Sequence, residues 1–206
     1  SPPDFGTLYS GRALDFDGVV DYVDMSNGVF SQQITAYPFT ISGYSNLPAG
    51  SGDENLWCIN DESTDNVKYR LVIRKASGEG QLRIAAQNTV TQSADTVGVD
   101  EFNDGNWHFW VASFESATSM KLYVDGALRA TQTTEVAYNT NCDSFTLGVD
   151  NETSGKAGFL DGELSNIQIW NVAWSESDVQ YAYTHPEKLI TDNSAVTSGT
   201  TISNLK

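Results

Sequence analysis

The stretch Lys68-Tyr69-Arg70-Leu71-Val72-Ile73-Arg74 alternates apolar and charged side chains with a period close to two. Tyr69, Leu71 and Ile73 point to one side of an extended backbone and Lys68, Arg70 and Arg74 to the other. The segment therefore reads as a strand with one buried and one wetted face. Its neighbour repeats the pattern: Leu82 and Ile84 point inward, Arg83 points outward, and Ser77-Gly78-Glu79-Gly80 supplies the turn of a hairpin. Further on, Leu122 and Val124 lead into Asp125-Gly126, the dipeptide that most readily takes the positive φ angles of a type I′ turn.

Outward from these hairpins, short β-branched and aromatic segments recur between clusters of Gly, Asn, Asp and Ser. They are Ala13–Phe16, Tyr22–Asp24, Phe39–Tyr44, Asn55–Ile59, Gln81–Gln87, Trp107–Glu115, Met120–Val124, Leu128–Thr133, Ser144–Val149 and Gly162–Trp170. This spacing predicts an all-β antiparallel sandwich or barrel rather than alternating strands and helices. One short helix is expected at Ser175–Tyr183, with Ser175 as N-cap, Asp178 reaching back to it, and His185-Pro186 as the stop. The polar, aperiodic run from Thr191 to Thr201 reads as a linker or loosely held tail. One domain over residues 5–187 and a tail over 188–206 follow.

The 206 residues carry 11 Lys plus Arg against 27 Asp plus Glu, a net charge of −16. Such a chain repels phosphate backbones and anionic lipid, so nucleic acid is excluded as an expected partner and cations become natural ones. A hydrophobic content of 39% with 11% aromatics is too rich for a disordered acidic tail. No apolar run approaches the roughly 20 residues of a membrane-spanning helix, so no membrane insertion is expected. Cys58 and Cys142 permit one disulfide or a pair of buried thiols.

The ordered set Gly11-Arg12-Ala13-Leu14-Asp15-Phe16-Asp17-Gly18, Asp21-Tyr22-Val23, Phe39-Thr40-Ile41, Asn106-Trp107-His108 and Lys121-Leu122-Tyr123-Val124-Asp125-Gly126 resembles the laminin G-like branch of the concanavalin A-like lectins and glucanases. Leu147-Gly148, Leu160-Asp161-Gly162-Glu163-Leu164 and Ile169-Trp170-Asn171 with Trp174-Ser175 are similar to the closing strand and helix of that branch, most of all in pentraxins. The resemblance implies a concanavalin A-like jelly-roll sandwich of two antiparallel sheets with one short C-terminal helix. Lectins, adhesion modules, glycoside hydrolases and polysaccharide lyases share that sandwich, so function must be read from the site.

Glucanases of this fold carry three carboxylates on one strand as Glu-x-Asp-x-x-Glu, which sets two acids on one face for retaining catalysis. No such run occurs in this sequence. Glu54, Asp61, Glu62 and Asp65 cluster in and after a loop instead, and His108 and His185 read as structural. A binding module is the expectation, not an enzyme.

Two acidic loops suggest a metal. Gly52-Asp53-Glu54-Asn55 precedes the strand through Trp57, and Asp150-Asn151-Glu152 follows the strand through Leu147. If those strands run antiparallel side by side, the carboxylates converge, and a Ca²⁺ ion would relieve their repulsion. Pentraxins hold calcium, and ligands through it, at acidic loops in both these places. The residues matching theirs are Asp53, Glu54, Asp150, Asn151 and Glu152. Asp15, Asp17 and Gly18 offer a second, less complete position, since many relatives carry Asp where this chain has Ser165. Asn151-Glu152-Thr153 is an N-glycosylation sequon.

For a sugar ligand, Trp57, Tyr44 and Tyr138 are candidate aromatic platforms. Arg70, Arg74 and Arg83, with Lys68 and Lys75, lay positive charge on one sheet face that could hold an anionic polysaccharide. The sequence thus predicts a non-catalytic, calcium-assisted carbohydrate-binding or adhesion module of a larger extracellular or virion-surface protein. Its partner would be a polysaccharide or glycoconjugate. A jelly-roll spacer making protein–protein contact, and a hydrolase or lyase of the same fold, are the alternatives.

Overall fold

A computed structural model describes residues 13–25, 34–65, 67–75, 80–96, 102–186 and 201–204. The strands are β1 (Leu14–Asp17), β2 (Val23–Asp24), β3 (Phe39–Asn46), β4 (Asp53–Asn60), β5 (Val67–Arg74), β6 (Gln81–Asn88), β7 (Val90–Asp95), β8 (Trp107–Ser116), β9 (Ser119–Val124), β10 (Ala127–Gln132), β11 (Ser144–Leu147), β12 (Asp150–Glu152), β13 (Gly155–Ala157), β14 (Asp161–Trp170) and β15 (Thr201–Asn204). The helix α1 spans Glu176–Thr184.

Two antiparallel sheets form the sandwich. The back sheet runs β1-β14-β3-β8-β9-β10, with β15 added to β14, and the front sheet runs β2-β11-β4-β5-β6-β7. β12 and β13 make a separate two-stranded hairpin. The alternation that decided the fold is realised: Tyr69, Leu71, Ile73, Leu82 and Ile84 are fully buried between the sheets. The β9–β10 turn also takes the expected form, with φ of 51° at Asp125 and 79° at Gly126. The turn residues Ser77-Gly78-Glu79, the opening Gly11-Arg12 and the tail residues 188–200 lie outside the described residues.

The back sheet is apolar on its inner face and, beneath α1, on part of its outer face, which the sequence shows as a continuous run in β8. Trp110, Ala112 and Phe114 enter the central core, while Phe109 and Val111 join Tyr44, Tyr123, Trp170 and Trp174 beneath Val179 and Ala182 of α1. A strand covered on both sides loses the alternation of a half-exposed one. The helix itself begins as expected: Ser175 accepts from the Asp178 amide and the Asp178 carboxylate accepts from the Ser175 amide, a reciprocal capping box.

Candidate functional site

On the outer face of the front sheet, strand registers align one lateral row: Asp24, Thr146, Cys58, Arg70, Ala85 and Ser93. The adjoining row is Ser144, Asn60, Lys68, Gln87 and Thr91. On the other side stand Val72, Arg83 and Asp95, then Arg74 and Gln81. The face is polar as parity demands, yet it is not uniformly wetted.

The reason is the β12–β13 hairpin. β11 ends at Leu147, and Gly148, at φ 76°, turns the chain back where any Cβ would meet the Phe16 ring at 2.6 Å. The chain then lies over β11 and β4 and returns at Gly158, whose carbonyl accepts from the Asn55 amide at 2.9 Å. Charge holds this polar hairpin down. Asp150 Oδ2 accepts from Lys68 Nζ and Arg70 Nη1, both at 2.9 Å, and its Oδ1 accepts from the Cys58 thiol at 3.4 Å. Glu152 accepts from Lys68 at 3.1 Å, and Lys156 donates to Asp24 at 3.2 Å. Asp65 accepts from the Thr153 amide and hydroxyl at 2.8 and 2.6 Å.

Lys68, read from parity as an exposed cation, is therefore buried under the hairpin. Burial is the largest influence on it and pulls its pKa down. The bonds to Asp150 and Glu152 together outweigh that and leave it above the ordinary lysine range. Burial, reinforced by the Asp150 charge, raises the Cys58 thiol well above its usual value. Both cysteines are free and buried, Cys142 being pushed up to about 12, chiefly by burial.

The five residues expected to hold calcium do not converge. Asp53 and Glu54 are successive on β4 and point to opposite sides. Asp53 faces Arg74 at 3.8 Å, whereas Glu54 closes the end of the sandwich, accepting from the fully buried Lys75 at 2.8 Å and from the Asp161 amide at 3.0 Å. Asp150 sits over Cys58, about 16 Å along β4 from Asp53. Asn151 turns elsewhere, donating to Glu62 at 2.8 Å while its carbonyl accepts from Asn60. Among the described residues no group of three or more His, Cys, Asp or Glu is arranged to hold a metal ion. These residues do not fit calcium, which needs six to eight converging oxygens. Lysine and arginine side chains of β5 and its end offset the acidic repulsion that a dication was expected to relieve. The second acidic position is also spoken for: Asp17 Oδ1 accepts from the amides of Val19, Val20 and Asp21, at 2.8, 2.8 and 3.1 Å. The sequon amide of Asn151 is engaged with Glu62, and its Thr153 hydroxyl with Asp65.

The expected aromatic platforms are likewise corrected. Trp57 is fully buried in the central core, its parity placing it inward opposite Leu71. Tyr44 lies beneath α1. Tyr138 packs with Tyr37, Phe39 and Tyr69, and its hydroxyl donates to the Ile34 carbonyl at 2.6 Å.

What stays open is the half of the front face over β5, β6 and β7. Here Arg83 donates to Asp95 through Nε and Nη2, at 2.6 and 3.0 Å, and Arg74 Nη1 reaches the same carboxylate at 3.2 Å. For Asp95, burial pushes upward as the largest influence, but the two guanidinium groups outweigh it and hold the carboxyl below its ordinary pKa. Arg70, Arg74 and Arg83 each remain about a quarter exposed, at 27%, 24% and 27%. Ala85 and Ser93 give the floor between them small side chains. Asp95 went unnoticed in the sequence because Val90-Thr91-Gln92-Ser93-Ala94-Asp95 is too polar to stand out as a strand. Its alternation of partly buried Gln92 and Ala94 with outward Thr91 and Ser93 is the signal that could have found it.

His108 has the partners that the sequence did not reveal. Asp125 Oδ2 lies 2.8 Å from Nδ1 and Asp104 Oδ1 lies 3.1 Å from Nε2, tying the 102–106 loop to the β9–β10 turn.

A family model described as the concanavalin A-like lectin/glucanases superfamily, of the laminin G type, matches residues 16–180. The chain belongs to this superfamily. No curated protein sequence matches it. Among solved structures, this superfamily member is similar to the heptameric SAP-like pentraxin of Limulus polyphemus, with a TM-score of 0.64 and 14% identity over 83% of this chain and 81% of that one. It is similar to the CBM40 module of the Ruminococcus gnavus IT-sialidase bound to α2,3-sialyllactose, with a TM-score of 0.65 and 13% identity over 83% and 97%. It also resembles the botulinum neurotoxin serotype D binding domain, with a TM-score of 0.63 and 15% identity over 84% and 42%. At these identities the likeness establishes the shared jelly-roll fold.

Proposed function

We propose that the chain is a non-catalytic carbohydrate-binding module, and that its ligand is an acidic glycan held on the open half of the front face. The observation that carries this reading is the set of guanidinium groups of Arg70, Arg74 and Arg83. Each is partly exposed and held by a carboxylate of Asp150, Asp53 or Asp95. A planar donor already oriented by one carboxylate loses little freedom on taking a second acceptor, which suits a ligand carboxylate or a pair of hydroxyls. Sialyllactose on the structurally similar R. gnavus module supports the ligand class.

The Asp95 pair argues against a general-acid role for that carboxyl. A glycosidase needs one carboxyl kept protonated near neutrality, whereas Asp95 is held ionised by Arg83 and Arg74. Binding is direct in this reading, without a bridging calcium ion, and the setting is a secreted or virion-surface protein.

Titration calorimetry against sialyllactose and oligogalacturonates, with and without chelator, tests it. Binding that survives chelator and falls at least about tenfold in Arg83→Ala, with Arg83→Lys recovering only part, is expected. Absence of binding to every acidic saccharide, or shortening of the oligosaccharides, would overturn the reading. Binding abolished by chelator would restore a metal-bridged mode.

A further inference from the structure

Tyr22 is the most exposed aromatic side chain among the described residues, at 43%, and it stands on the far side of the β12–β13 hairpin from the arginines. Val23 packs against the core, so Tyr22 and Asp24 both point outward, toward β13. Lys156 Nζ lies 4.7 Å from the centre of the Tyr22 ring and is fixed there by Asp24 at 3.2 Å and Asn151 at 3.0 Å. Phe159 approaches the ring at 6.3 Å, tilted by 59°. The approach loop is held too, because the three amides bound to Asp17 fix residues 19–21 just before Tyr22. The ring is thus presented in a set orientation, with the Lys156 ammonium against one face and 43% of the residue still exposed.

We infer that Tyr22 and Asp24 form a second saccharide subsite, taking a neutral pyranose further along the glycan from the acidic residue held by the arginines. A sugar stacks its C–H face on an exposed ring and directs hydroxyls to fixed acceptors beside it. Asp21 and Asp24 supply acceptors, and with Asp17 they disfavour a second carboxylate here. From β2 to β5 is three strand spacings, about 14 Å, with the hairpin crest between. Two such anchors select an oligosaccharide over a monosaccharide, since only a chain of linked sugars reaches both. This inference rests on the proposed acidic-glycan reading.

The test compares free sialic acid with sialyllactose by calorimetry on the wild type, Tyr22→Ala and Tyr22→Phe, each with its melting temperature. The expected result is about a five- to tenfold weaker affinity of Tyr22→Ala for sialyllactose, unchanged affinity for sialic acid, and near-complete recovery in Tyr22→Phe. Equal affinity of Tyr22→Ala and wild type for sialyllactose, or an equal loss for both ligands, overturns the second subsite and leaves the arginine face standing. Wild-type protein that binds neither these ligands nor oligogalacturonates overturns both readings together.

Discussion

Over the back sheet, α1 seals Tyr44, Phe109, Val111, Tyr123 and Trp170 with Trp174, Val179 and Ala182, an apolar contact extending the core outward. Over the front sheet, the β12–β13 hairpin contributes no residue to either hydrophobic core and is held by Lys68, Arg70, Asp65 and Asp24. One cover rests on the removal of apolar surface from water; the other rests on charge pairs. The contrast separates an element sealed by apolar packing from one held by charge, and the partly exposed arginines proposed to hold a ligand border the latter.

Truncating the apolar cover has the largest expected effect. Trp174→Ala should destabilise the fold by about 3–5 kcal/mol, through lost burial and a residual cavity, seen as a lower midpoint in urea unfolding. A loss under about 1 kcal/mol would show that α1 is an ornament on the sandwich. Next comes Asp150→Ala, which strands the buried Lys68 with only the half-exposed Glu152. A cost of about 3–5 kcal/mol is expected, read as a lower midpoint in urea unfolding. A cost under about 1 kcal/mol would dissolve the distinction between the two covers. Ser175→Ala removes the cap that starts α1 and should cost about 1 kcal/mol, read from the same unfolding curves.

The smallest effect is a pH dependence at the border of the apolar cover. Burial is the largest influence on His108 and lowers its pKa, but Asp125 and Asp104 outweigh it and leave the imidazole above its ordinary value of 6.5. The folded state then binds the proton more tightly than the unfolded chain. The stabilisation is fully present below about pH 6.5 and is lost as pH rises through the raised folded-state value. Melting temperature against pH should show this decline in the wild type and not in His108→Gln. Parallel curves for the two proteins would remove the histidine from the account.

The architecture was legible because its signals are local. Alternation in Lys68–Arg74, the Asp125-Gly126 turn and the Ser175–Asp178 capping box each need only a few neighbouring residues. The site was not, because its logic is paired across strands. Acidic Asp150 and basic Arg70 lie 80 positions apart and read separately as a metal loop and a polysaccharide face. Folding makes them partners, and the repulsion that called for calcium is met by lysine and arginine instead. Lys68 was misplaced for a related reason. Parity sets the side of the sheet a residue faces, but it says nothing of a polar hairpin that lacks any periodic signature and lies over that side.

Leu160, fully buried in the core, and Val149, fully buried beside Asp150, bracket that hairpin, and between Asp150 and Ala157 nothing is asked to pack with the sheets' interior. The exposed tip of that hairpin at Ser154, outside the pairs made by Asp150, Glu152, Thr153 and Lys156, tolerates rewriting in length and charge, which makes it a natural position for a randomised library. Clones diversified there would keep the scaffold and differ in the surface beside Arg70.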